Sequence, residues 1–234
     1  MVLMTGIKGL DRLGGLPKNS IIEICGKAAS GKTIFSHQFL TYFLLHNPKA
    51  RALFFDVDLS FHPELIHKIL RKFNRDLLLK NVLKRILIVS APESVERVIK
   101  ILEKNLGKYE LILIDSVSSL FKEPLDEIGF KEYMGNLIGL GMELRKHSRF
   151  STILVTNQMR SIIRSSFSDD NLIFDELWYA EGVIPALGKI WEYFVDLRIY
   201  MKKLRKNMGV MIIAFSNSLP ETFSPFKYVD GFLE

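Results

Sequence analysis

The chain has 234 residues, 48% of them apolar, which is enough for a continuous core in one large domain. Its longest apolar stretches, FLTYFLL and ELILID among them, fall far short of the roughly 18 residues that cross a bilayer, and MVLMTGIKGLDRL has no charged leader before a long apolar run, so neither a membrane span nor an export signal is expected. One cysteine, Cys25, excludes an internal disulfide, while a net charge of +6 and a pI near 9.3 admit a polyanionic partner without requiring one.

Short β-rich apolar runs alternate with longer segments of helical period, the pattern of a parallel sheet covered by helices. Strands are expected over 21–25, 52–57, 86–90, 111–116 and 152–157, and helices over roughly 32–46, 63–74, 93–105 and 128–147. Within them, residues 66–86 gather Lys68, Arg71, Lys72, Arg75, Lys80, Lys84 and Arg85 against Asp76 alone. A long irregular stretch is expected from about 159 to 190, and loops of that length are usually functional. Beyond it, FVDLRIYMKK and GVMIIAFSN flank the tip LRKNM as a β-hairpin would, adding antiparallel strands at the C-terminal end. No repeat, low-complexity tract or linker divides the chain, so residues 1–234 read as a single α/β domain.

The stretch GKAASGKT, residues 26–33, follows an expected strand and opens an expected helix, the context in which this spacing forms a phosphate-binding loop. Gly26 and Gly31 let the backbone curl, so that the amides of Gly26, Lys27, Ala28, Ala29, Ser30 and Gly31 and the helix N-terminus face a β-phosphate. Lys32 is placed to reach the β and γ oxygens, and Thr33 to offer a hydroxyl to Mg²⁺. Asp115 closes the apolar strand LILID and is expected to serve the metal, directly or from its outer coordination sphere. ATP with Mg²⁺ is the cofactor this set implies.

These residues resemble a known family. TGIKGLDRLGGLPKNSIIEICGKAASGKT is similar to the entry signature of RecA-superfamily recombinases of the archaeal RadA and RadB type. FFDVDLSFHPE, LILIDSVSSLF, VTNQ at 155–158, PALGKIW at 185–191 and SNSLPE at 216–221 continue the resemblance over nearly the whole chain. It implies a RecA-like P-loop ATPase core, a central, mostly parallel sheet flanked by helices with C-terminal antiparallel strands. It further implies that Asp115 reaches the metal through water, that Gln158 senses the γ-phosphate and that Asp58 stands in the place of the water-activating glutamate, with Asp56 on the same strand as the alternative carboxylate. An aspartate is one methylene shorter, a loss of reach of about 1.3 Å, and misplacement on that scale costs about a hundredfold in rate, so weak hydrolysis is expected.

Other departures bear on what the ATP is used for. The full recombinase of this family carries an N-terminal DNA-binding domain and an aromatic tether between subunits; here the core signature begins at Thr5, so neither is expected. Asn217 stands where the family's ATP cap commonly has proline. The two loops expected to hold DNA are acidic, with Arg160 and Arg164 outnumbered by Asp169, Asp170, Asp175, Glu176 and Glu181 in 159–184. In 121–134, Lys122 and Lys131 face Glu123, Asp126, Glu127 and Glu132. Phosphate contacts dominate nucleic-acid affinity, so such loops disfavour binding, and Phe167, Phe174, Trp178 and Tyr179 are expected to meet protein. The hairpin tip, with Lys202, Lys203, Arg205 and Lys206, is the expected site of weak contact with single-stranded DNA. The resulting expectation is a cytoplasmic, nucleoid-associated recombinase paralogue that binds ATP and assists a main recombinase or another paralogue. A KaiC-like signalling ATPase is the alternative, although DVD and VTNQ point away from it. A small-molecule kinase, whose lid arginines only RSIIRSS could supply, stands third.

Overall fold

The computed structural model describes residues 2–122, 129–161 and 182–234. In chain order the elements are β1 (Val2–Leu3), α1 (Lys8–Arg12), β2 (Leu16–Pro17), β3 (Ile21–Gly26), α2 (Lys32–His46), β4 (Ala52–Asp56), α3 (Pro63–Lys72), α4 (Leu79–Leu83), β5 (Ile86–Ser90), α5 (Val95–Glu103) and β6 (Leu111–Asp115). They continue with α6 (Phe130–His147), β7 (Thr152–Ser161), β8 (Val183–Pro185), α7 (Gly188–Glu192), β9 (Leu197–Arg205), β10 (Met208–Ser216), β11 (Phe223–Val229) and β12 (Phe232–Leu233).

One large sheet runs in the order β12-β11-β10-β9-β3-β7-β6-β4-β5, with β8 paired to β7 off this path. The six strands from β9 to β5 are parallel, and β10, β11 and β12 extend the sheet antiparallel. β3, β4 and β6 are buried along their whole length, as parallel strands covered on both faces must be. Alternate residues feed two cores. Ile22, Ile24, Phe54 and Leu113 pack under Phe35, Phe39 and Leu40 of α2 and Ile66 of α3. Leu53, Phe55, Ile112 and Ile114 pack on the other face against Val98 and Leu102 of α5 and Leu137, Leu140 and Leu144 of α6. Each fully buried side chain of this size contributes on the order of 1.5–3 kcal/mol, so the cores hold the sheet flat against its helices.

All five expected parallel strands are present, and the four expected helices agree within two residues at each end. The hairpin turns more tightly than read, on Lys206 and Asn207 between β9 and β10. The stretch read as irregular from 159 to 190 contains the end of β7, then β8 and α7; most of the rest lies outside the described residues. β11 and β12 were not read, since Pro225 marks a strand interior poorly and β12 spans two residues. The carboxyl ends of β3, β4, β6 and β7 meet along one edge of the parallel sheet, the side on which open α/β sheets bind ligands.

Candidate nucleotide site

The loop between β3 and α2 is shaped by close approach. A Cβ at Gly26 would lie 2.5 Å from the Met201 carbonyl oxygen and 2.5 Å from Ser30 Oγ, and Gly31 has φ 98° with the Tyr228 ring 2.8 Å from where its Cβ would stand. Only glycine fits at both places. Lys32, the first residue of α2, donates from Nζ to the carbonyl oxygens of Gly26 (2.8 Å) and Lys27 (3.0 Å), so the ammonium is held over the loop. Burial pushes its pKa down, and Asp115, Cys25 and Asp58 pull it back. The Ser30 hydroxyl is buried with no hydrogen-bond partner, while the Ser30 carbonyl accepts from the Tyr228 hydroxyl at 2.5 Å. A curled loop opening a long helix, a held ammonium and an orphaned buried hydroxyl are a donor set that fits a polyphosphate.

Three aspartates stand at or just beyond the ends of β4 and β6, in different states. Asp115 is buried; its Oδ1 accepts from Thr156 and its Oδ2 from Ser60 Oγ at 3.2 Å. Asp56 accepts from the backbone amides of Ser60 (2.6 Å) and Phe61 (3.2 Å), so it caps the turn leading into α3. Asp58 lies just beyond β4. Its Oδ2 accepts from Ser116 and Ser119, both at 2.9 Å, and its Oδ1 from Lys122 at 2.9 Å. Burial raises the Asp58 pKa, but the bonds from Lys122, Ser119 and Ser116 together hold it below its ordinary value. Among the described residues no cluster of three or more His, Cys, Asp or Glu is placed to hold a metal. Thr33 and Asp115 are oxygen donors of the kind that hold a largely hydrated Mg²⁺ on phosphate.

Gln158 follows the buried part of β7. Its amide donates to Ser118 Oγ at 3.0 Å, its carbonyl accepts from Ala186, and the residue is exposed. Arg160 lies two residues further on the same strand, paired in register with Ile184 of β8, and Arg164 falls outside the described residues. Lys203 and Lys206 of the hairpin stand against the β3–α2 loop together with Tyr228, whereas Lys202 and Arg205 do not line that space. The sequence reading missed Lys122, Ser60 and Tyr228. Lys122 carried only a charge count, and Tyr228 no signal, since its partner is 198 residues away.

Beneath the site lies a buried network. Glu23 of β3 accepts from Asn157 Nδ2 at 2.7 Å and pairs with Arg198 of β9, which also pairs with Glu192 of α7. Arg198 is 1% exposed and its Nη2 has no hydrogen-bond partner. Cys25 is buried, and burial, with the Glu23 charge second, pushes its thiol pKa up.

A phosphate-type loop at the end of the central strand, an aspartate ending a neighbouring strand and a mostly parallel sheet between helix layers define a RecA-like ATPase core. The family model described as ATPase: KaiC matches residues 3–209, and the chain belongs to this family of KaiC/RecA-type ATPases, whose members bind nucleotide. It is 26% identical to the Homo sapiens meiotic recombination protein DMC1/LIM15 homolog over 244 residues, covering 98% of this chain and 68% of that one. It is also 26% identical over 246 residues to the DNA repair and recombination protein RadA of Cenarchaeum symbiosum, covering 97% of this chain and 56% of the relative. Among solved structures, that of the RadB recombinase superposes with a TM-score of 0.74 at 20% identity, covering 99% and 98% of the two chains. Among the described residues no helix is long and apolar enough to cross a membrane.

Proposed function

We propose that residues 1–234 act as a single RecA-like core, a recombinase paralogue that binds ATP with Mg²⁺, turns it over slowly, and assists a main recombinase or another paralogue in recombination and repair of DNA. In this reading Lys32 and the amides of residues 26–31 hold the phosphates, Thr33 and, through water, Asp115 hold the metal, and Gln158 senses the γ-phosphate. Mg²⁺, when bound, neutralises charge on the β and γ oxygens. Relatives named for recombination and repair, together with the RadB-like fold, support this over a signalling role, since the KaiC description extends to the family as a whole.

The observation that carries the slow turnover is the state of Asp58. In the position of the water-activating carboxylate stands a shorter side chain whose two oxygens are already occupied by a lysine and two serines. With two donors on Oδ2 and one on Oδ1, about three of its four acceptor sites are taken, and the one left for a water is on the oxygen that Lys122 holds. Contact with single-stranded DNA is assigned a minor part, through Arg160, Arg164 and the hairpin, and the protein is placed in the cytoplasm with the nucleoid.

Strand exchange tests the reading. Purified alone, the protein should bind ATP with Lys32→Ala weakened, and should form no long filaments and exchange no strands. Added to the main recombinase of the same cell, it should raise the exchange rate or the length of filaments seen by electron microscopy. Strand exchange by this chain alone, or no ATP binding and no effect on the recombinase, would sink the proposal.

A further inference from the structure

The hairpin lysines and Tyr228 have a place the sequence reading did not give them. A cavity of about 390 Å³, within the size range of small-ligand sites, opens between two walls. One wall is the start of α2, with Lys32, Thr33 and Ile34; the other comes from the far end of the chain, with Lys203 and Lys206 of the β9–β10 hairpin and Tyr228 of β11. Among the described residues three lysines line it and no carboxylate does. The second wall is fastened to the first: the Tyr228 hydroxyl donates to the Ser30 carbonyl, the Gly31 backbone lies against the Tyr228 ring, and Lys203 Nζ stands 5.8 Å from that ring's centroid.

We propose that Lys203 and Lys206 are nucleotide-binding residues that contact the phosphate chain of a nucleoside triphosphate from the side opposite Lys32, with Tyr228 positioning the loop beneath it. The proposal rests on the reading of residues 26–33 as the phosphate-binding loop. The argument is charge and shape together. A triphosphate carries more negative charge than one lysine offsets, and a concave space with three ammonium groups and no acid is complementary to it. A strand of DNA offers phosphates of the same chemistry, but the cavity is continuous with Lys32 and Thr33 and is walled by the residue that holds the loop itself. Two of the four hairpin cations expected to meet DNA are therefore committed to nucleotide, and ATP and DNA compete for them.

The test is equilibrium binding of ATP and AMP, by calorimetry and by fluorescence of a labelled ATP. The parent is compared with the double variant Lys203→Ala/Lys206→Ala, the conservative pair Lys203→Arg/Lys206→Arg, and Lys80→Ala/Lys84→Ala, which removes the same charge elsewhere. The hairpin alanine pair should lose about 10- to 100-fold in ATP affinity, with a smaller loss for AMP and an unchanged melting curve. The arginine pair should keep most of the affinity, and the Lys80/Lys84 pair nearly all of it. Parent-like ATP affinity in the hairpin alanine pair, or an equal loss in the Lys80/Lys84 pair, would overturn the inference while leaving the loop assignment standing. No ATP binding by the parent would overturn both.

Discussion

Replacing Lys122 by alanine isolates what holds Asp58. The Lys122 ammonium is the donor to Oδ1, while Oδ2 is served by Ser116 and Ser119, so the variant frees one carboxylate oxygen and leaves the other anchored. The pair is partly exposed, with Lys122 at 65% and Asp58 at 27%, which puts its worth at about 0.2–1 kcal/mol. If Asp58 must break that pair before it can orient a water, Lys122→Ala should raise ATP turnover about 1.4- to 5-fold, with ATP affinity unchanged and stability lower by no more than the same energy. Asp58→Glu, restoring the missing methylene, should raise turnover further, by up to about a hundredfold, and Asp58→Asn should abolish what remains. Steady-state phosphate release at saturating ATP reads all three. Because its partners hold the Asp58 carboxyl below the ordinary carboxylate range, it stays ionised throughout pH 8 to pH 5, so turnover should not fall across that range on its account. Unchanged or reduced turnover in Lys122→Ala, with Asp58→Asn as active as the parent, would show that the working carboxylate lies elsewhere.

Arg198→Met leaves Glu23 charged and buried without its partner and should cost about 3–5 kcal/mol in urea unfolding, with the m-value unchanged; Glu23→Gln added to it should recover part of the loss, and a cost under about 1 kcal/mol would contradict the network. His37 donates to the Thr33 carbonyl from Nδ1 and accepts the His62 amide at Nε2, and burial pushes its pKa down, as it also does for His147. A histidine lowered in the folded state contributes stability that is present above about pH 6.5 and is lost as pH falls toward its folded pKa, at about 1.4 kcal/mol per pH unit for each group; His37→Gln should flatten that slope by one histidine's share. Replacing Lys202, Lys203, Arg205 and Lys206 by serine should reduce the slope of log affinity against log salt for single-stranded DNA by up to about 3 without nucleotide, but by about 1.4 with saturating ATP, and an equal change in both conditions would separate the hairpin from the nucleotide site.

The parallel sheet and its four main helices were legible because buried strands write themselves as unbroken runs such as LILID, and helices as a 3.6-residue period between them. The turn between β3 and α2 was legible because its residues are contiguous in sequence, and the place of Asp115 because it closes an unbroken apolar run. What could not be read is what distant segments bring together. Lys122 reaches Asp58 across 64 residues, and no local pattern distinguishes that lysine from the others near it. The hairpin lysines were seen as a cluster and assigned by charge alone. Only the pairing of β9 beside β3, and of β11 beyond β10, turns two of them toward the loop. Tyr228 sits on a strand that Pro225 and a half-exposed pattern hid.

The Glu23, Arg198, Glu192 and Asn157 network has a consequence for how this sequence can drift. Its members come from β3, β9, α7 and β7, four elements that converge behind the β3–α2 loop; Glu23 and Arg198 are tolerated in the interior because each answers the other, while Glu192 reaches Arg198 from a part-exposed position. Losing Arg198 alone strands an anion in the core, whereas losing Arg198 and Glu23 together exchanges one packed interior for another. Among descendants of this chain, positions 23 and 198 should therefore change in step or not at all. A lineage that has gone over to an apolar pair there would carry the trace of an intermediate that survived with a weakened fold.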